Sequence, residues 1–215
     1  MNRDIRKTKF QGVDIYPVTC EALSAGRSNP EVLDAIIRGG ARIIQLREKE
    51  YSSRKLYELA LQFREVTARN DVLLIINDHL DIALAVGADG VHLGQNDLPL
   101  AAARKLAPEL LIGISTHSLA EALEAERNGA DYINIGPIFQ TATKKGANSF
   151  LGPGAITEIR QKITIPFTVM GGINESNIDQ VVAHGAQHVA MVTAITQAPY
   201  IAEAVRSFRQ LILSP

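Results

Sequence analysis

The chain has 215 residues and a formal net charge of −1, with 22 Lys plus Arg against 23 Asp plus Glu. That length suits one large domain with an ample core, and the balanced charge offers no general attraction to nucleic acid or an anionic membrane, so any anion site must be built locally. Cys20 is alone, which excludes an internal disulfide and a cysteine metal cluster; with no signal-length apolar stretch and no run of about 18 apolar residues, a soluble cytoplasmic protein is expected.

Residues 1–12, "MNRDIRKTKFQG", read as an N-terminal extension ahead of a first strand at "DIYPVT" (14–19). A second strand is expected at "RIIQLRE" (42–48). It is followed by a helix over "SSRKLYELALQFREVTARN", where Leu56, Leu59, Ala60 and Phe63 recur at 3,4-spacing. Further strands follow at "VLLIIND" (72–78), "GVHLG" (90–94), "LIGIST" (111–116) and "YINIGPI" (132–138). The last two are expected at "PFTVMGG" (166–172) and "HVAMVTAI" (188–195), and "PYIAEAVRSFRQLIL" closes the chain as an amphipathic helix.

Strands alternating with helices imply a parallel sheet with helical crossovers. Eight such units in this length match a single-domain α/β fold of the (β/α)₈ TIM-barrel kind. A weak internal repeat agrees: "GGARIIQL", "VGADGVHL", "NGADYINI" and "HGAQHVAM" each end a helix with Gly-Ala and enter a strand. Gly suits the left-handed helix cap. An open doubly wound sheet is the alternative, but "VTCEALSAGRSNP" is not the Gly-rich turn such a sheet carries after its first strand.

In a barrel, reactive groups gather at the C-terminal strand ends. In "IIQLREK", Gln45, Arg47 and Lys49 share one face and Ile44 and Leu46 the other, which aims an amide, a guanidinium and an ammonium at the barrel mouth. Asn77 and Asp78 end the third strand, and Gln95 and Asp97 follow the fourth. Two carboxylates on neighbouring strands near cations could hold Mg²⁺. Taken singly, Asp78 reads as a helix N-cap and Asp97 as a turn residue. His92 reads as a hydrogen-bonded core histidine, and Ser115 stands at a strand end two residues after Gly113. Glycines at 94, 113, 136, 171 and 172 suggest close approach of a ligand or another backbone, and five at one rim would leave a cavity there. Gly171, Gly172, Val192 and Thr193 are placed to bind phosphate through backbone N–H groups. The stretch "FQTATKKGANSFLGPG" (139–154) is long for a connection and rich in hydroxyls, lysines and glycines, and it reads as a lid over an anion.

Together, "QLREK", "ND", "VHLGQNDLP", "GIST", "GPIFQTATKKG" and "GGIN", in this order, resemble the thiamine-phosphate synthase family from "DIYPVT" to "VTAI". The resemblance implies a Mg²⁺-dependent transferase that joins 4-amino-2-methyl-5-hydroxymethylpyrimidine diphosphate to hydroxyethylthiazole phosphate, or its carboxylated form, with release of diphosphate. Gln45, Arg47, Lys49 and Asn77 match residues that hold the pyrimidine diphosphate, Lys144 its diphosphate, and Ser115 the residue near the pyrimidine and leaving group. Lys144, Ser115, Arg47 and Lys49 are the implied catalytic set. Asp78 and Asp97 match the Mg²⁺ ligands. Thr141, Thr143, Gly172, Val192 and Thr193 match the thiazole-phosphate side, Thr193 standing where the family commonly has Ser. The implied partners are small phosphorylated substrates, compatible with a homo-oligomer. Two other readings stand beside it: the related thiazole tautomerase, which would use a histidine such as His117, and a silent barrel that binds phosphate ligands.

Overall fold

The described residues are 1–141 and 150–213 of a computed structural model. The chain opens with α1 (Arg3–Gln11), β1 (Ile15–Pro17), α2 (Asn29–Arg38), β2 (Ile43–Leu46), α3 (Ser53–Arg69) and β3 (Leu73–Asn77). It continues through α4 (Leu80–Ala85), β4 (Gly90–Leu93), α5 (Leu100–Leu106), β5 (Leu111–Thr116), α6 (Leu119–Arg127) and β6 (Tyr132–Ile135). The last third holds α7 (Gly154–Arg160), β7 (Phe167–Val169), α8 (Ile178–Ala183), β8 (His188–Met191), α9 (Thr193–Thr196) and α10 (Ile201–Leu213). All neighbouring strands are parallel, in the order β1-β8-β7-β6-β5-β4-β3-β2. A parallel bridge between Val18 and Gln45 joins the outer strands. The sheet is a (β/α)₈ barrel.

Strand parity divides the core in two. Ile44, Leu46, Leu74, Ile76, Val91 and Leu93 point outward into one apolar cluster under the helices. Tyr16, Val18, Ile43, Ile75, Leu111 and Tyr132 point inward and fill the barrel. Helix α3 shows how the outer layer is met: Leu56, Ala60, Phe63 and Thr67 form its buried stripe, and Ser52 caps its first turn. Gly40, Gly87, Gly129 and Gly185 of the Gly-Ala repeat all have positive φ, between 64° and 95°. Each is followed by a buried alanine, so the repeat is a helix stop joined to a tight re-entry into the sheet.

In two of the repeats an aspartate follows, and it is buried. Asp89 accepts from the Leu74 N–H at 3.0 Å and pairs with Arg64 at 2.7 Å and Arg6 at 3.4 Å. Asp131 accepts from the Ile112 N–H at 2.9 Å and pairs with Arg104 at 2.5 Å and Arg3 at 2.8 Å. Arg3 and Arg6 belong to α1, so residues 3–11 lie across the N-terminal end of the barrel. Phe10, 2 % exposed, reaches inside and stacks on Tyr132 with ring centroids 4.4 Å apart.

β5 alone has the expected bounds; the other seven strands are shorter than the sequence pattern implies, β7 and β8 most of all. The run expected to be strand from 188 to 195 leaves the sheet after Met191, and α9 begins at Thr193. "VTAI" is β-branched and apolar, so its composition cannot separate a buried strand end from one buried helical turn. The seventh strand, expected over 166–172, ends at Val169 because Gly171 and Gly172 turn the backbone out at φ +108° and +65°.

Candidate active site

A cavity of about 760 Å³ opens at the C-terminal ends of the strands. Gln45, Arg47 and Lys49 from β2 and its extension line it, with Asn77 and Asp78 from the end of β3. Asp97, Ser115, Thr141, Gly172, Val192 and Thr193 line the same cavity from the remaining strand ends. Thr143 and Lys144 lie outside the described residues. The barrel therefore gathers the described members of the expected site at one mouth, although they come from opposite ends of the chain.

The cationic side is built by β2. Ile44 and Leu46 are fully buried against the helices, which turns Gln45 and Arg47 inward. The Arg47 backbone N–H donates to Thr19 Oγ1 at 3.1 Å and fixes the strand end against β1. Among the described residues no carboxylate forms an ion pair with the Arg47 guanidinium. Lys49 differs: its Nζ lies 3.2 Å from Asp78 Oδ2.

Asp78 is held at φ +62°, a conformation uncommon for a residue with a side chain and frequent where function fixes the backbone. Its N–H donates to the His92 carbonyl at 2.9 Å, which ties the end of β3 to β4. The N-cap of α4 is His79, so Asp78 is not the helix cap that its position in the sequence allowed. Burial, followed by contact with the Asp97 carboxylate, pushes the Asp78 carboxyl above the usual range, against the pull of Lys49. Asp97 serves its turn as well, since Oδ2 accepts from the Gly94 N–H at 2.6 Å. Among the described residues no cluster of three or more metal-ligating side chains forms. A facing carboxylate pair fits Mg²⁺, which takes one or two carboxylates and completes its shell with phosphate oxygens and water.

Ser115 Oγ is 2.9 Å from His92 Nε2. His92 is buried, and burial lowers its imidazole to about 4, so the ring is neutral at ordinary pH. It is a hydrogen-bonded core histidine, yet its upper edge reaches the cavity. His117 lines the rim with Nδ1 held by Glu121 Oε2 at 3.0 Å.

The cavity expected at the glycine-rich rim is present, lined by Gly94, Gly136, Gly171 and Gly172, and of the two close approaches expected there, by a ligand or by protein, protein makes the nearer one. A Cβ on Gly113 would fall 2.1 Å from Tyr132 Cζ, and one on Gly136 2.5 Å from the Met170 carbonyl. On Gly171 and Gly172 it would lie 2.6 Å from Pro137 Cβ and 2.3 Å from the Gln140 carbonyl. The turn after β7 is further tied by Asn177 and Asn174, whose Nδ2 groups donate to the Gly172 carbonyl at 2.9 and 3.2 Å.

The family model for thiamine monophosphate synthase matches residues 15–195. The chain belongs to the thiamine monophosphate synthase family. It is 47 % identical over 198 residues to the thiamine-phosphate synthase of Chloroflexus aurantiacus, covering 92 % of both chains. It is 45 % identical over 200 residues to that of Methanospirillum hungatei, covering 93 % of this chain and 97 % of the other. A solved thiamine phosphate pyrophosphorylase from Pyrococcus furiosus superposes with a TM-score of 0.87 at 34 % identity, covering 96 % of this chain and 97 % of that one.

As a member of the thiamine monophosphate synthase family, the chain is a transferase that works on small molecules. Among its described residues no helix is long and apolar enough to cross a membrane. Tyr16, His92, Asn134 and Thr168 also line the cavity, and sequence reading assigned them no part in it. One signal was available: each has the inward parity of its strand, where a polar side chain needs a partner or a ligand.

Proposed function

We propose that the cavity holds a pyrimidine diphosphate against β2, β3 and β4 and a thiazole phosphate against β7 and β8. The observation that carries this reading is Arg47, a guanidinium without an ion pair among the described residues, beside Lys49 and a carboxylate pair in one cavity. In the reaction the bond between the pyrimidine methylene carbon and the diphosphate oxygen breaks, and its electron pair leaves with diphosphate. The thiazole nitrogen lone pair then forms the new carbon–nitrogen bond. No proton has to move, so neither a strong base nor a covalent nucleophile is required.

The chain's task is electrostatic. Arg47 and Lys49 offset the charge growing on the leaving oxygen, and Gln45 and Asn77 orient the pyrimidine. Ser115 supplies a hydroxyl beside the reacting carbon. Asp78 and Asp97 would hold a Mg²⁺, which when bound neutralises diphosphate charge. The thiazole phosphate would rest on the Gly172 turn and the first turn of α9, where Thr193 offers its N–H; Thr141 and Thr143 belong to this side. Lys144 is proposed, from the family pattern alone, to meet the diphosphate.

Arg47→Gln tests this division. Turnover should fall by about 10²–10³, with the Michaelis constant for thiazole phosphate nearly unchanged. An equal weakening for both substrates would refute the assignment of Arg47 to the diphosphate side.

A further inference from the structure

Beneath the cavity runs a chain of side-chain hydrogen bonds that the substitution chemistry does not itself use. Gln45 Nε2 donates to the Tyr16 hydroxyl at 3.0 Å, and the Tyr16 and Tyr132 hydroxyls are 2.8 Å apart. The Tyr132 hydroxyl is 3.2 Å from His92 Nδ1, and His92 Nε2 is 2.9 Å from Ser115 Oγ. Five strands contribute one residue each. Gln45 and Ser115 are the two ends and line the cavity; Tyr16 and His92 are buried yet also reach the lining, and Tyr132 alone of the five does not. Gly113 is part of the arrangement, because Tyr132 crosses the space its missing side chain leaves.

Each middle group has one proton to give: a hydroxyl has one, and so has a neutral imidazole. The direction of donation at one end therefore dictates the direction at the other. With Gln45 donating, Tyr16 gives its proton to Tyr132, Tyr132 to His92 Nδ1, and His92 Nε2–H to Ser115 Oγ. Ser115 then keeps its own proton for the cavity, and Gln45 keeps its carbonyl oxygen as an acceptor.

We propose that Tyr16, Tyr132 and His92 are positioning residues that couple the Gln45 amide to the Ser115 hydroxyl, so that the cavity offers an acceptor at one end and a donor at the other. An aminopyrimidine calls for that pair, since its exocyclic amine donates and its ring nitrogens accept. The inference rests on the reading that the pyrimidine binds on this side of the cavity. It has Tyr132, which does not line the cavity, act only through the groups at the two ends, and it gives Tyr16 and His92 the same positioning part.

The test is a double-mutant cycle on the intact enzyme with both substrates and Mg²⁺. Tyr132→Phe removes one oxygen and keeps the ring stacked on Phe10, and it should lower turnover about tenfold, the scale of one lost hydrogen bond. In a Ser115→Ala background the same change should matter by less than about twofold, because the group it orients is gone. Tyr16→Phe should repeat the pattern, and it is read in place of Tyr132→Phe should that variant not fold. Losses that multiply in the Ser115→Ala background would overturn the proposal, as would full turnover in both phenylalanine variants. Nitrogen-15 NMR of His92 gives a readout that needs no activity: the proton is expected on Nε2, and a proton on Nδ1 would reverse the relay and overturn the proposal. Turnover of the unmodified enzyme in the same assay checks the pyrimidine reading separately.

Discussion

Phe10→Ala probes how far residues 3–11 belong to the barrel. The ring is 2 % exposed, lies 4.4 Å from the Tyr132 centroid at 26°, and meets Tyr16 edge-on at 6.4 Å. Truncating a buried Phe to Ala costs about 3–5 kcal/mol, of which about 0.5–1.5 kcal/mol reflects aromatic pairing. A domain of this size loses about 2–4 °C of melting temperature per kcal/mol, so the midpoint should fall by about 6–20 °C. Phe10→Leu keeps most of the volume and should cost less than about 1.5 kcal/mol. Thermal unfolding followed by circular dichroism, with a urea titration as cross-check, measures both. At a temperature where both proteins are folded, Phe10→Ala should also turn over more slowly, because Tyr132 has lost its stacking partner. A midpoint within about 2 °C of the parent would refute the reasoning, since a ring that plugs the barrel cannot be removed at so little cost.

Asp78→Asn and Asp97→Asn should each raise the Mg²⁺ concentration needed for half-maximal turnover; unchanged Mg²⁺ dependence in both would contradict the paired-ligand reading. Without Mg²⁺, Asp78→Asn should melt higher at neutral pH. The Asp78 carboxyl is raised in the folded state, so its ionisation opposes folding at pH values above that raised range, and the gain should vanish as the pH falls below the ordinary carboxylate value. A gain that persists unchanged at acid pH would exclude this cause. Gly172→Ala places a Cβ 2.3 Å from the Gln140 carbonyl at a φ of +65°, and it should raise the Michaelis constant for thiazole phosphate more than that for pyrimidine diphosphate; an effect confined to the diphosphate substrate would move the phosphate site elsewhere. Lys144→Ala should cut turnover by about 10²–10³ and Lys145→Ala far less, with equal losses pointing to a general basic segment instead.

Much of this was legible in the chain because a parallel barrel obeys simple periods. The parity of "IIQLREK" alone separates Ile44 and Leu46, which meet helices, from Gln45 and Arg47, which meet the cavity. The Gly-Ala repeat announces left-handed helix stops, and Gly40, Gly87, Gly129 and Gly185 adopt them. What stayed hidden depends on partners far apart in sequence. Tyr16 and Tyr132 are 116 residues apart, and nothing local to either says that their hydroxyls meet across the barrel. Gly113 left open whether a ligand or protein comes close, because a sequence shows the missing side chain and not the tyrosine that takes its place. Thr193 looked like strand because β-branched composition cannot mark where a buried strand becomes a helical turn. Asp78 gave no sign of its left-handed backbone, which the tie between its N–H and the His92 carbonyl helps to hold.

The most direct measurement is a product assay with purified protein, pyrimidine diphosphate and thiazole phosphate, with and without Mg²⁺. Thiamine phosphate and diphosphate should form in equal amounts, dependent on Mg²⁺ and on both substrates. Isomerisation of a thiazole phosphate alone, or tight binding of both phosphates with no product, would contradict the proposed reaction.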